Sequence, residues 1–95
     1  MIHIIVNPAG AGGKTLKNFR KSILPLFADS NYEIHFSSKT KGVSEIVSSL
    51  TDTAAIGEDS FVNLVIVGGD GTMNDVVNGI RDFEHTRVGL IPAGS

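Results

Sequence analysis

The run Gly68-Gly69-Asp70-Gly71-Thr72 sets three glycines, one carboxylate and one hydroxyl in five consecutive positions, directly after the apolar segment Phe61 to Val67. Glycines in such a place let the backbone approach a ligand closely and take positive φ, and a helix opening just beyond would aim its unpaired N–H groups and positive dipole end at the same point. That chemistry suits an anion. An aspartate at an anion site makes sense once a divalent cation is included: the carboxylate of Asp70 would hold Mg²⁺, directly or through water, while the amides take phosphate oxygens. Phosphate plus metal points to a nucleoside triphosphate. The same residues could form an ordinary tight turn with Asp70 capping a helix, but their position between a buried strand and an amphipathic helix favours the ligand site.

Two further loops have the composition to join it. Asn7-Pro8-Ala9-Gly10-Ala11-Gly12-Gly13-Lys14-Thr15 is small-residue chain with one cation. It is not a P-loop, because that pattern needs glycine where Pro8 stands. The dinucleotide-binding pattern fails as well: Gly10 and Gly12 would require a third glycine at Thr15, and Gly69 and Gly71 would require one at Asn74. Lys14 could neutralise a terminal phosphate or could stand solvated in the first turn of a helix. Pro92-Ala93-Gly94-Ser95 offers a hydroxyl at Ser95. Lys39 and Lys41 read as solvated charges on a loop bordering the same crevice. His3 and His35 fall within strands and His85 in a polar turn; with no carboxylate or second histidine at ligand spacing, no metal or base role is expected of them.

The elements that must carry these loops follow from periodicity. Ile2 to Val6 reads as a strand buried on both faces. From Lys14 to about Asp29, Leu16, Phe19, Ile23, Leu26 and Phe27 recur at helical spacing, with Pro25 disturbing the last turn. Tyr32 to Phe36 alternates apolar and polar as a strand does. Val43, Ile46, Val47 and Leu50, with Ala54 beyond them, mark a second helix. Phe61 to Val67 reads as a strand, with the β-formers Val62, Leu64, Val65, Ile66 and Val67 stopped by Gly68-Gly69. Thr72 followed by Asp75 has the form of a capping box, and Met73, Val76, Val77 and Ile80 give a third helix its inner face. Arg87 to Ile91 is a fourth strand. Strand and helix therefore alternate, with no hairpin signal, which predicts an α/β fold with a doubly wound, mainly parallel sheet. In such sheets ligands bind outside the carboxyl ends of the strands, so the loops after strands one, three and four should share a crevice.

Ninety-five residues, 41% of them apolar, make one small domain with one core. A net charge of −2 provides no positive field for a nucleic-acid backbone, so nucleic acid is not an expected partner. The lack of cysteine fits a reducing compartment, and no stretch approaches the roughly 18 apolar residues of a membrane span. A cytoplasmic location is expected. The chain stops where a fourth strand should lead into another loop and helix, so it reads as a fragment whose uncovered apolar surface should drive aggregation or dimerisation.

The Asn7-Pro8 turn, the block Gly68-Gly69-Asp70-Gly71-Thr72-Met73-Asn74-Asp75-Val76-Val77-Asn78-Gly79 and the ending Ile91-Pro92-Ala93-Gly94-Ser95 together resemble the diacylglycerol kinase catalytic domain family. The resemblance covers the whole chain. It extends to bacterial lipid kinases and, more distantly, to sphingosine and ceramide kinases. It implies an NAD kinase/diacylglycerol kinase-like fold in which residues 1–95 are the nucleotide-binding N-terminal lobe. It implies ATP and Mg²⁺ as cofactors, with Asn7, Pro8, Ala9, Gly10 and Ala11 wrapping the nucleotide and Ser38 at a nucleotide-contacting hydroxyl position. Gly69, Asp70, Gly71, Thr72, Met73, Asn74 and Asp75 would hold phosphates and metal, with Asp70 as catalytic residue and metal ligand, and Ser95 would serve the third loop. Ala11 stands where glycine is common and Asp75 where glutamate is usual. In the family a second, mostly β domain supplies the lipid pocket and the general base, so the 95 residues alone should be inactive. The intact protein would meet a membrane lipid at the inner face of the membrane. Two alternatives stay open: an NAD kinase-like phosphotransferase lobe, and a non-catalytic nucleotide-binding module.

Overall fold

The four β-forming runs become four parallel strands: β1 (Ile2–Val6), β2 (Tyr32–Phe36), β3 (Val62–Gly68) and β4 (Thr86–Pro92). The computed structural model describes residues 1–52, 56 and 60–92. The strands lie in the order β2-β1-β3-β4. In β1, Ile4, Ile5 and Val6 are completely buried, as expected of a strand covered on both faces. Register is pinned by pairs such as Ile4 with Ile34 and with Val65, and Val67 with Ile91.

Because side chains alternate along a strand, this register sorts the sheet into two cores. Ile4, Val6 and Val67 face one way and pack with Phe19 and Ile23 of the helical segment that joins β1 to β2. Ile5, Leu64 and Ile66 face the other way, against Val43, Ile46 and Val47 of α2 (Val43–Leu50) and Val76 of α3 (Asp70–Gly79). A right-handed crossover places its helix according to the direction of travel across the sheet. The chain moves outward from β1 to β2, then back past β1 to β3 and on to β4, so its first helix lies on one face and the next two on the other.

The first helical segment is irregular. A 3₁₀ turn (Gly10–Gly13) precedes α1 (Lys14–Asn18), which widens into a π turn (Phe19–Ile23) and ends as a 3₁₀ turn (Leu24–Phe27). Pro25 has no N–H to bond back into the preceding turn, which accounts for the tightening there. Leu26, expected on the inner face, is 74% exposed, since the 3₁₀ turn rotates it outward. Phe61 lies before β3 rather than in it and is exposed.

Helices α2 and α3 pack so closely that the Ser48 hydroxyl donates to the Gly79 carbonyl at 2.8 Å. A second tie is Thr51, fully buried, whose Oγ1 donates to the Val47 carbonyl at 2.7 Å and accepts the Arg81 N–H at 3.0 Å. On the same face, beyond α3, Val88 and Leu90 of β4 remain partly exposed. Among the described residues no helix is long and apolar enough to cross a membrane. Ala54, placed by its spacing at the end of the second helix, lies outside the described residues.

Candidate functional site

Strand order reverses between β1 and β3, and in open α/β sheets the crevice outside the carboxyl ends of two such strands is where ligands bind. The chain leaves β1 at Asn7 and β3 at Gly69, so the first small-residue loop and the Gly-Gly-Asp-Gly-Thr turn emerge side by side, beyond the paired residues Val6 and Val67.

The first loop is held by its own asparagine. Asn7 Oδ1 accepts the Ala9 N–H at 3.1 Å, and the Asn7 carbonyl accepts the Gly10 N–H at 3.1 Å. Gly10 and Ala11 then begin the 3₁₀ turn, which hands over to α1 through Gly12 at φ 67° and Gly13 at φ 93°. Positive φ was expected of the glycines around Asp70; among the described residues it belongs to these two, which must turn the chain sharply into a helix.

The glycines around Asp70 serve other ends. A Cβ on Gly68 would stand 2.7 Å from Thr72 Oγ1, so this glycine allows the first turn of α3 to close down on the end of β3. Among the described residues, a Cβ on Gly69 or Gly71 would meet no atom within 4 Å beyond its chain neighbours and its own helix. Neither backbone conformation nor packing requires glycine there, which leaves room for something outside the chain to approach.

Helix α3 begins three residues earlier than the capping-box pattern suggests. Gly69, in extended conformation, is its N-cap, with no side-chain cap, and Thr72 lies inside the first turn. The Met73 N–H bonds to the Gly69 carbonyl at 3.1 Å, leaving the amides of Asp70, Gly71 and Thr72 at the open end, the ordinary condition of a helix N-terminus. Asp70 is exposed in that turn, and no described side chain pairs with its carboxylate. Met73 is partly buried against the α2/α3 core and its N–H is already taken, while Asn74 is exposed.

A cleft of about 490 Å³ gathers Asn7, Pro8 and Ala9 with Ser38, Val43 and Asp75, a volume within the roughly 300–1,000 Å³ of small-molecule sites. It joins the loops after β1 and β2 through the amino-terminal end of α2, and Lys39 also lines it. Ser38 is engaged in its own turn: its hydroxyl accepts the Lys41 N–H at 3.0 Å. Asp70 does not line this cleft. Five residues before Asp75, it lies roughly 140° around the helix from it, so the two carboxylates expected at one metal and phosphate site point to different sides. Ser95 lies outside the described residues.

One cluster was missed on the sequence. His3 of β1 stands opposite Glu33 of β2, and His35 is two residues further along the same strand, so all three side chains emerge on the α2/α3 face. Burial, followed by the neighbouring His35, holds the His3 imidazole below the usual histidine pKa, against the opposing pull of Glu33. Only the strand register could reveal it, since His3 is 30 residues from Glu33.

A sequence profile of the diacylglycerol kinase catalytic domain matches residues 1–95. Sphingosine kinase 1 of Arabidopsis thaliana is 33% identical over 101 residues, covering 97% of this chain and 19% of that protein. Sphingosine kinase 1 of Homo sapiens is 31% identical over 98 residues, covering 97% of this chain and 24% of that protein. Diacylglycerol kinase of Staphylococcus carnosus is 31% identical over 93 residues, covering 97% of this chain and 29% of that protein. The chain thus spans less than a third of the length of these relatives.

Proposed function

This chain belongs to the diacylglycerol kinase catalytic domain family, and from that premise we propose that it is the ATP-binding lobe of a lipid kinase. The intact enzyme transfers the γ-phosphate of ATP to the hydroxyl of diacylglycerol or a related lipid. The observation that carries this reading is the junction at the strand-order reversal. There the open amides of α3 and the carboxylate of Asp70 emerge beside the Asn7 loop, and Gly69 and Gly71 leave space that no other element among the described residues fills.

The residues present fit a magnesium-bound triphosphate. Asp70, exposed and without a partner among the described residues, would hold the metal, which when bound supplies charge neutralisation to the phosphates. The amides of α3 orient the phosphate oxygens. Asn7, Pro8, Ala9 and Ser38 form the wall of the neighbouring cleft and accommodate the nucleoside, while Asp75, on the far side of the helix from Asp70, contacts that part of the nucleotide rather than the metal. Phosphoryl transfer asks a protein mainly for positioning and electrostatic stabilisation. The relatives named for diacylglycerol and for sphingosine share a lipid acceptor, which favours a lipid over NAD.

Titrating the chain with ATP, with and without Mg²⁺, should give saturable binding that shifts the amide resonances of Gly69 to Thr72 and of Asn7 to Ala9, and that weakens in Asp70→Asn. In the full-length enzyme Asp70→Asn should lower kcat by roughly 100-fold, the scale of losing one preorganised electrostatic group. Near-normal turnover by a folded Asp70→Asn enzyme would remove Asp70 from the chemistry. Phosphorylation of NAD but not of dispersed diacylglycerol or sphingosine would overturn the lipid assignment.

A further inference from the structure

The His3, Glu33 and His35 cluster contains more hydrogen-bonding groups than its protons can serve. His3 Nδ1 lies 3.0 Å from His35 Nε2, and Glu33 Oε1 lies 3.1 Å from that same nitrogen. If His35 Nε2 carries its proton, it can donate to the carboxylate or to His3. If His3 Nδ1 donates to it instead, its lone pair is used and the carboxylate is left facing another acceptor. With neutral imidazoles, one of the two contacts is always unsatisfied. Three ligand atoms, all within 4.8 Å of one another, therefore converge on a point that a cation would satisfy at once.

We infer that His3, Glu33 and His35 form a binding site for a transition-metal ion of the Zn²⁺ class, which clips the edge strand β2 to β1. Zn–N bonds of about 2.0–2.1 Å put two ligands of a tetrahedral ion roughly 3.3 Å apart, so separations of 3.0 and 3.1 Å need only small outward movement. Two imidazoles and one carboxylate leave a fourth position for water. This donor set selects Zn²⁺, Co²⁺ or Ni²⁺ over Mg²⁺, which prefers six oxygens, and so the site differs in kind from any metal at the α3 turn. It is also open to entry: the His35 side chain is 19% exposed, and that of Glu33 is 55% exposed. Among the described residues, strand β2 is hydrogen-bonded to the sheet through β1 alone, so an ion joining the two strands binds the folded state and raises its stability by mass action.

The test uses chelator-treated protein titrated with zinc chloride by calorimetry, together with its melting temperature and its imidazole nitrogen resonances. The expected result is saturation at one ion per chain, a raised melting temperature, and shifts at His3 Nδ1 and His35 Nε2, all persisting in excess Mg²⁺. His85, held by Asp82 at 2.9 Å, should not shift, and His85→Gln should bind Zn²⁺ as the wild type does. His35→Gln and Glu33→Gln should each weaken binding by at least about 10-fold, the lower bound for losing even a ligand's supporting partner. No saturable Zn²⁺ binding by the folded wild type would overturn the inference, as would shifts confined to His85. Both observations are made on the unaltered chain and do not depend on a variant folding.

Discussion

Gly79→Ala is the substitution whose outcome the packing decides against local propensity. Alanine in place of glycine within a helix ordinarily stabilises by roughly 0.5–1 kcal/mol. At Gly79, however, the new Cβ would stand 2.5 Å from the Ser44 carbonyl oxygen, 2.9 Å from Ser44 Cα and 3.1 Å from its carbonyl carbon. All three are backbone atoms of α2, and no rotamer relieves them. Restoring ordinary contact near 3.4 Å requires α2 and α3 to separate by about 0.9 Å, and a gap of that size forfeits up to about half of the dispersion energy across the interface it opens. The contacts affected are those of Val43, Ile46 and Val47 with Val76, along with the Ser48 to Gly79 hydrogen bond. Overpacking of this kind costs about 1–3 kcal/mol; set against the propensity gain, a net loss of about 1–2 kcal/mol remains. For a domain of this size each kcal/mol moves the midpoint by about 4–8 °C, so thermal unfolding followed by circular dichroism should show a drop of about 5–15 °C. Gly71→Ala, in the first turn of the same helix with no atom of another element among the described residues within 4 Å of its Cβ, should leave the midpoint unchanged or raise it by a few degrees. A Gly79→Ala chain as stable as the wild type would refute the close α2–α3 approach.

Two further outcomes follow from the same contacts. Gly68→Ala drives a Cβ against Thr72 and displaces the first turn of α3, so turnover of the full-length enzyme should fall on the order of 100-fold, the cost of misplacing a site by about 1 Å, while the far-ultraviolet spectrum is retained; unchanged kinetics would detach that turn from the chemistry. Thr51→Val keeps the shape of the residue but leaves the part-buried Arg81 N–H without its acceptor, a loss of about 0.5–1.5 kcal/mol. Urea unfolding should show a lowered midpoint with unchanged slope, and Thr51→Ser should be the milder variant; the reverse order would place the cost in the lost methyl group rather than the hydrogen bond.

The sequence was most legible where a single element accounts for its own pattern. Ile2 to Val6 and Tyr32 to Phe36 each form the expected strand over the expected residues, and the second helix covers Val43 to Leu50 of its expected stretch, because each carries the apolar run or spacing of a single element. Where two elements compete for a residue, the pattern misled. Leu26 fits a helical stripe until the chain tightens around Pro25, and Thr72 resembles a cap until Gly69 takes that position. The glycines near Asp70 illustrate the same limit: their types announce a special backbone, but whether the reason is positive φ, a close neighbour or open space is settled only by what surrounds each one.

By itself, the order of residues determined the alternating α/β class, its parallel strands and the loops rich in small residues, since periodicity, β-propensity and turn chemistry are local properties. Tertiary structure alone decided the strand order β2-β1-β3-β4, which brings Asn7 beside Gly69. It also decided that Asp75 faces the Asn7 cleft while Asp70 does not, and that two histidines and a glutamate from separate strands converge. The physical reason is common to all three: each depends on the register and crossover handedness of segments far apart in the chain, and those are fixed by burying both faces of the sheet at once.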